Sequence, residues 1–408
     1  MGIKKASTVI IKFISGNALS QIFLILGTPL ITRVYNPNDF GVYSVILSII
    51  LILGVIGTGR YDQIMYKFQE ENEWNECFNN GVIINLIVST ITLLAVIIIN
   101  YHLGIPKIYL LLSPLIFTFA LIQLLTSLFS LHGNYKCIIY SNILRTLTLI
   151  ISQFAFFKFN SIGLILGLIF SQFMTLFFLI YIGLKSETLD YKFKWVKHGY
   201  RELIFSSVQS LSNSFSSQLP VLFIPQLYGM TLLGLYGLAM RLTQLPITFF
   251  TNAIRPYIMG ELNRNINKKE TVFSILWKSS ASLLLLSIVG IIMISAFAES
   301  FFRVYAGDTW AYAGNIASIL SIWLLVAFAN VVATSYLTVN AKYLSLLLYD
   351  SVLLIMRGGV IVFSFYYEMS FTAFLYSYSL LGMIFNLGII LYAVYCGWRN
   401  TKGTNSYC

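Results

Sequence analysis

Apolar runs of about twenty residues, broken by short polar segments, follow one another along almost the whole chain. A helix that crosses a bilayer needs roughly 20 apolar residues, so such runs predict spans rather than core helices. Twelve are read, at 9–31, 40–59, 79–99, 108–130, 138–157, 161–184, 203–224, 231–254, 273–297, 312–337, 344–366 and 371–395. The expected fold is all-α, a polytopic membrane protein of about twelve transmembrane helices. Lys4 and Lys5 precede a first run that continues past Pro29 with no small-residue cleavage site, which predicts a span and not a cleaved signal. The first and seventh runs are the least apolar. They carry Ser15, Asn17, Ser20 and Gln21, then Gln209, Asn213, Gln218 and several serines. Pro29, Pro114, Pro220 and Pro246 lie in or near spans and predict kinks.

Composition sharpens this reading. Of the 408 residues, 58% are apolar and 10% charged. A soluble domain carries about 25% charged residues, so a soluble globular enzyme is excluded. Cys77, Cys137, Cys396 and Cys408 are far apart, without a CxxC pair, and there are three histidines, so neither a disulfide framework nor a metal site is expected. With no P-loop and no GxSxG, neither ATP hydrolysis nor acyl transfer is encoded. No cofactor and no enzymatic activity are expected, and energy must come from an ion gradient, the membrane potential or removal of product.

The formal net charge of +11 is mostly topology. Twelve spans put both termini on one side; segments on that side hold 18 Lys and Arg against 4 opposite, with 4 more inside spans. The positive side is cytoplasmic. Scattered over short loops, these charges do not call for a nucleic-acid partner. The run Glu70–Glu76 reads as a solvated cytoplasmic loop, and Tyr35, Tyr43, Tyr101, Tyr109, Trp310 and Trp398 at span ends read as an interfacial belt.

An internal repeat is visible. Tyr35, Gly41 and Tyr43 recur as Tyr228, Gly234 and Tyr236, a shared Y-x5-G-x-Y at an offset of 193, and Arg60-Tyr61 is echoed by Arg255-Pro256-Tyr257. The halves are then 1–184 and 203–396, six spans each, joined by a basic linker at 185–202 and followed by a tail at 397–408. Equal, even span counts predict two parallel six-helix bundles about a pseudo-twofold axis along the membrane normal. Rocking of two such bundles about a cleft is transporter architecture.

The residues Ser15-Gly-Asn-Ala-Leu-Ser-Gln21, Thr28-Pro29, Arg33-Val-Tyr35, Pro37-Asn-Asp39-Phe40-Gly41, Gly59-Arg60-Tyr61-Asp62, Leu219-Pro220 and Gly234 to Pro246 carry a resemblance. Over 1–65 and 203–260 the chain resembles bacterial polysaccharide and O-antigen flippases of the multidrug/oligosaccharidyl-lipid/polysaccharide exporter superfamily. Asp62 stands where such families often have Glu. The resemblance implies a MATE-like fold in the bacterial cytoplasmic (inner) membrane. It also implies translocation of undecaprenyl-pyrophosphate-linked oligosaccharide repeat units for O-antigen, capsule or exopolysaccharide assembly. The implied partners are that substrate, membrane lipid, and a polysaccharide polymerase with other assembly proteins.

Ionisable residues at membrane depth are costly and face a cavity or a partner. Arg145, Arg241, Arg357, Lys278 and Asp350 fall within expected spans, Lys12 stands at the cytoplasmic start of the first, and Asp350 and Arg357, seven apart, share a helical face. Arg241, Arg145, Arg357 and Lys12 are candidates for a cationic cleft that receives a pyrophosphate or acidic sugar, since a guanidinium pairs phosphate oxygens in bidentate fashion. The competing role is a helix–helix salt bridge or snorkelling to the interface; Lys278 is assigned to snorkelling. Asn17, Gln21, Asn213 and Gln218 are candidates to hydrogen-bond a glycan, against a role as interhelical polar contacts. Asp350 is assigned to ion pairing or coupling. A cation-coupled drug exporter of the same superfamily is the alternative; it would want more in-span carboxylates than Asp350. A polysaccharide polymerase is disfavoured, because the longest outer segment is 298–311.

Overall fold

A computed structural model describes residues 19–68, 70–104, 106–185, 200–265, 268–340 and 342–402. Among these, every regular element is a helix. In chain order they are α1 (Leu19–Thr32), α2 (Pro37–Gly57), α3 (Tyr61–Ile64), α4 (Glu71–Leu103), α5 (Leu112–Leu131), α6 (Tyr135–Ala155) and α7 (Ser161–Lys185). Then follow α8 (Tyr200–Tyr228), α9 (Met230–Arg264), α10 (Lys269–Ala306), α11 (Ala311–Ala329), α12 (Val331–Val339), α13 (Tyr343–Tyr366) and α14 (Phe371–Thr401). Among the described residues, helix occupies each of the twelve expected runs, the first from Leu19 onward. Nine of the described helical segments are long and apolar enough to cross a membrane. The described part of α1 is apolar but short; α8, the seventh run, is long but too polar to meet that standard, as expected, and α9, the eighth, also falls below it. The chain is a multi-pass membrane protein.

Several local details add to or depart from expectation. The acidic run at 70–76 is not a loop: α4 begins at Glu71, where Glu71 and Glu73 complement the positive end of the helix, and Glu71 Oε1 meets His132 Nε2 at 2.9 Å. The segment 298–311, expected as an outer loop, is mostly helical, because α10 continues to Ala306, its last turns carrying an Arg303–Glu299 pair at 2.8 Å. The tenth run is interrupted at Asn330, between α11 and α12. After α2 the chain turns through Gly59 and Arg60, both left-handed at φ +54° and +61°, into the short α3. α9 runs unbroken through Pro246 and Pro256.

The start of α2 shows why the Tyr-Asn-Pro-Asn-Asp stretch is built as it is. Asn36 caps the helix, accepting from the Asp39 N–H at 2.9 Å, while the Asp39 carboxylate accepts from the Asn36 N–H at 3.3 Å. Pro37 fills the first turn, where its missing N–H costs nothing. Just before this cap, Tyr35 donates its hydroxyl to the Gln153 carbonyl of α6 at 2.7 Å. Burial, and secondarily the Asp39 carboxylate, push the Tyr35 hydroxyl up to about 12.

Contact density divides the chain between Leu222 and Phe223, within α8. Most of the expected linker, residues 186–199, lies outside the described residues, as does the tail from residue 403. In the first unit Tyr61, Met65, Cys77, Phe78, Leu124, Phe129 and Leu179 form a buried core. There α6 and α7 meet closely through Gly163 and Gly167. A Cβ on Gly163 would collide with the Phe156 carbonyl, and one on Gly167 would lie 2.5 Å from Gln153 Cγ. Asn85 of α4 donates to the Phe117 carbonyl of α5 at 2.8 Å, and Thr118 bonds Gln172 of α7, so the buried polar groups join helices. In the second unit Leu262, Leu276, Val332, Tyr336, Leu337, Ile390 and Ala393 form the core. Gly314 of α11 lies against the backbone of Ala298 and Glu299 in α10.

Candidate functional site

Lys12 and Asn17 fall outside the described residues. The remaining candidates distribute between the units. In the first, Gly27 of α1 lies against Ile150 of α6, and Tyr35 beyond the end of α1 reaches Gln153 near the end of α6, so these two helices run parallel. At about 1.5 Å per residue, Gln21 stands about 9 Å before that contact and Arg145 about 7.5 Å. The structure therefore brings Gln21 and Arg145 to one depth. Both are half-buried, and Arg145 Nη2 donates to Asn142 Oδ1 at 3.4 Å. On α8, Asn213 is exposed and Gln218 half-buried.

Sequence reading marked Arg145 but missed the rest of α6. Ser141, Asn142, Thr146, Thr148, Ser152 and Gln153 make it the least apolar of the nine spans. The signal was present, since hydroxyl and amide residues recur through that run, but each hydroxyl can bond its own helix, which hides them in a hydropathy profile. Thr146 and Thr148 do bond carbonyls one turn back, at 3.0 and 2.6 Å.

The Arg60-Tyr61-Asp62 stretch sits at the end of α2. Tyr61 is buried in the first-unit core, and Arg60 and Asp62 are half-buried on either side of it. Burial pulls the Arg60 guanidinium below its usual range, opposed by the Asp62 carboxylate.

In the second unit Arg357 of α13 is only 3% exposed. Its guanidinium lies between two rings, 4.8 Å from the centroid of Trp323 on α11 and 4.5 Å from that of Tyr378 on α14. Such stacking over aromatic faces suits the planar, weakly hydrated guanidinium. Gly382 makes room for the arrangement, since a Cβ there would lie 3.1 Å from Arg357 Nη2 and 3.0 Å from Trp323 Cβ. Asp350, 7% exposed, is two turns away on the same helix. Asn386 joins this region to the α11–α12 break: its Oδ1 accepts from Asn330 Nδ2 at 2.8 Å and from the Tyr349 hydroxyl at 3.2 Å, while its Nδ2 donates to the Gly382 carbonyl at 2.7 Å. Trp323, Tyr378, Asn330 and Asn386 were not foreseen. The asparagines stood out as polar groups in apolar runs; the rings did not.

Arg241 differs from Arg357. It is half-buried on α9, eleven residues past the start of the helix, and among the described residues no hydrogen bond or ion pair holds it. The Glu261 of the same helix lies twenty residues on and pairs with Arg264 at 2.8 Å. No group of His, Cys, Asp and Glu among the described residues could hold a metal ion.

Comparison with known proteins follows from this architecture. Over 98% of its length the chain is similar to an inward-facing multidrug resistance MATE family transporter of the MOP superfamily, with TM-score 0.73, 13% identity and 99% of that chain covered. It is similar over 94% to lipid II flippase MurJ in an inward closed conformation, with TM-score 0.73, 13% identity and 87% of that chain covered. A MOP superfamily transporter from Pyrococcus furiosus gives TM-score 0.64 at 12% identity, covering 95% of this chain and 94% of that one. At such identities the likeness establishes the MATE-type fold. No curated protein sequence matches the chain. The family described as polysaccharide biosynthesis protein matches residues 30–315, from the α1–α2 junction through both Arg145 and Arg241, and the chain belongs to that family.

Proposed function

We propose that this protein is a flippase that moves undecaprenyl-pyrophosphate-linked oligosaccharide across the bacterial cytoplasmic membrane, by alternating access, for assembly of a surface polysaccharide. Membership of the polysaccharide biosynthesis family and the fold it shares with a lipid II flippase support a lipid-linked glycan as cargo. The observation that carries the reading is Arg241. A guanidinium at membrane depth costs at least ~2.5–3.5 kcal/mol and requires a partner or water, and among the described residues Arg241 has no such partner. A pyrophosphate supplies an anion of the kind such a guanidinium requires. Arg145 and Gln21, level with each other in the first unit, are assigned to the same cargo, with Asn213 and Gln218 on α8. Arg357, enclosed by its two rings, holds α11, α13 and α14 of the second unit together, and Asp350 serves ion pairing or coupling.

The bias of 18 to 4 Lys and Arg supports cytoplasmic termini, and a polymerase acting on the flipped repeat unit is the expected downstream partner. The test is surface glycan display in a flippase-null strain carrying the gene. Because a hydrogen bond to a charged group is worth roughly 1.5–3 kcal/mol, Arg241→Ala should lower display by about one to two orders of magnitude at normal membrane abundance. Arg241→Lys should restore only part, since a point charge cannot make the bidentate contact. Full display by Arg241→Ala at normal abundance would reject this role.

A further inference from the structure

At one end of the second unit, the ends of α9, α10, α12 and α14 surround a partly enclosed pocket of about 200 Å³. Its wall includes Lys269, Tyr336, Asn340 and Asn400, with Leu262 and Gly397 on the apolar side. Asn400 Nδ2 donates to the Tyr336 hydroxyl at 3.0 Å and Asn340 Nδ2 to the Tyr336 carbonyl at 2.8 Å, so the polar wall is held in place. Gly397 lets α14 close on α10: a Cβ there would lie 2.9 Å from Leu276. No side chain caps the first turn of α10, where Lys269 stands, and the N–H groups of that turn add positive potential.

Two further observations place this pocket in an electrostatic and membrane setting. The same helix ends, with the turn from α12 into α13, carry Arg264, Lys268, Lys269, Lys342, Arg399 and Lys402 against the acids Glu261 and Glu270. One to two turns inward, Trp277, Tyr395 and Trp398 are 52%, 49% and 43% exposed, and Lys402 lies 4.1 Å from the ring centroid of Trp398. Exposed Trp and Tyr capped by Lys and Arg mark the depth of lipid headgroups. A basic pocket between helices at that depth suits an anionic headgroup.

We propose that this pocket binds the headgroup phosphodiester of an anionic phospholipid. Lys269 supplies the charge, the amides of Asn340 and Asn400 supply neutral hydrogen-bonding groups, and the apolar wall receives the glycerol carbons. On the orientation proposed above, the lipid belongs to the inner leaflet. The inference does not depend on the cargo: it requires only the pocket, its charge and its depth.

The test uses the full chain in detergent, with native mass spectrometry and thermal melts, and phosphatidylglycerol, phosphatidylcholine or inorganic phosphate added. Phosphatidylglycerol should be retained and should raise the melting temperature, whereas phosphatidylcholine should do neither. Lys269→Gln should weaken retention about tenfold or more, as expected for a lost charged hydrogen bond. Lys268→Gln, with the same charge loss outside the pocket wall, should cost at most about fivefold. Asn400→Asp, which puts a negative charge into the wall, provides a second variant and should also abolish retention. Equal effects of the two lysine substitutions would reduce the site to a charged surface and overturn the proposal. So would equal binding of the two lipids, or inorganic phosphate alone giving the whole shift, which would mark a free-anion site.

Discussion

At the scale of the residue, three arginines that look alike in the sequence acquire different environments. Arg357 is wrapped by Trp323 and Tyr378, Arg145 touches Asn142, and Arg241 is half-buried with no hydrogen bond or ion pair among the described residues. Their presence was legible, because a charge inside an apolar run is conspicuous. Their roles were not, because partners come from other helices, and with 26 Tyr, 32 Phe and 6 Trp no single ring announces itself as a box. The box makes its own prediction. Gly382→Leu would push side-chain atoms onto Arg357 and Trp323, and overpacking of this kind costs about 1–3 kcal/mol. The purified variant should melt at lower temperature, with the family fold retained by circular dichroism. An unchanged melt would mean that the α11–α13–α14 contact yields freely.

At the scale of the element, the hydropathy pattern located helices in the described part of all twelve runs, since length and apolarity are local properties. It failed where tertiary contacts decide. The break at Asn330 goes with an amide bonded to Asn386 on α14, and α4 starts early where Glu71 finds His132. Neither partner lies within the window a sequence pattern samples. The Tyr-Asn-Pro-Asn-Asp stretch, read as part of a repeat, proves to be a capping device. Its counterpart Tyr228 likewise stands two residues ahead of the next helix, where its ring meets Phe371 at the start of α14. Asn36→Ala should cost about 1 kcal/mol through loss of the cap, and Tyr35→Phe about as much through loss of the bond to Gln153; thermal melts read both. Gly167→Leu should be harsher, because α6 and α7 would have to separate past Gln153. If Gly167→Leu melted as the parent does, the close α6–α7 approach would be wrong.

At the scale of the whole molecule, family membership over residues 30–315 and the MATE-type fold define a multi-pass membrane protein of the polysaccharide biosynthesis family, and transport is the role proposed for it. The proposed orientation rests on the Lys and Arg bias of 18 to 4. A single cysteine introduced beside Lys107 should therefore react with an impermeant maleimide on intact cells, and one introduced beside Lys342 should not; the reverse pattern would invert the topology. The cargo is the central claim, and reconstitution tests it most directly. The purified chain in liposomes should carry an undecaprenyl-pyrophosphate-linked oligosaccharide from inner to outer leaflet, scored by access of an external glycan-cleaving enzyme. Arg241→Ala should be slower by about one to two orders of magnitude. Transfer no faster than in empty liposomes, together with uptake of a cationic drug driven by an ion gradient, would contradict the flippase account and establish the exporter instead.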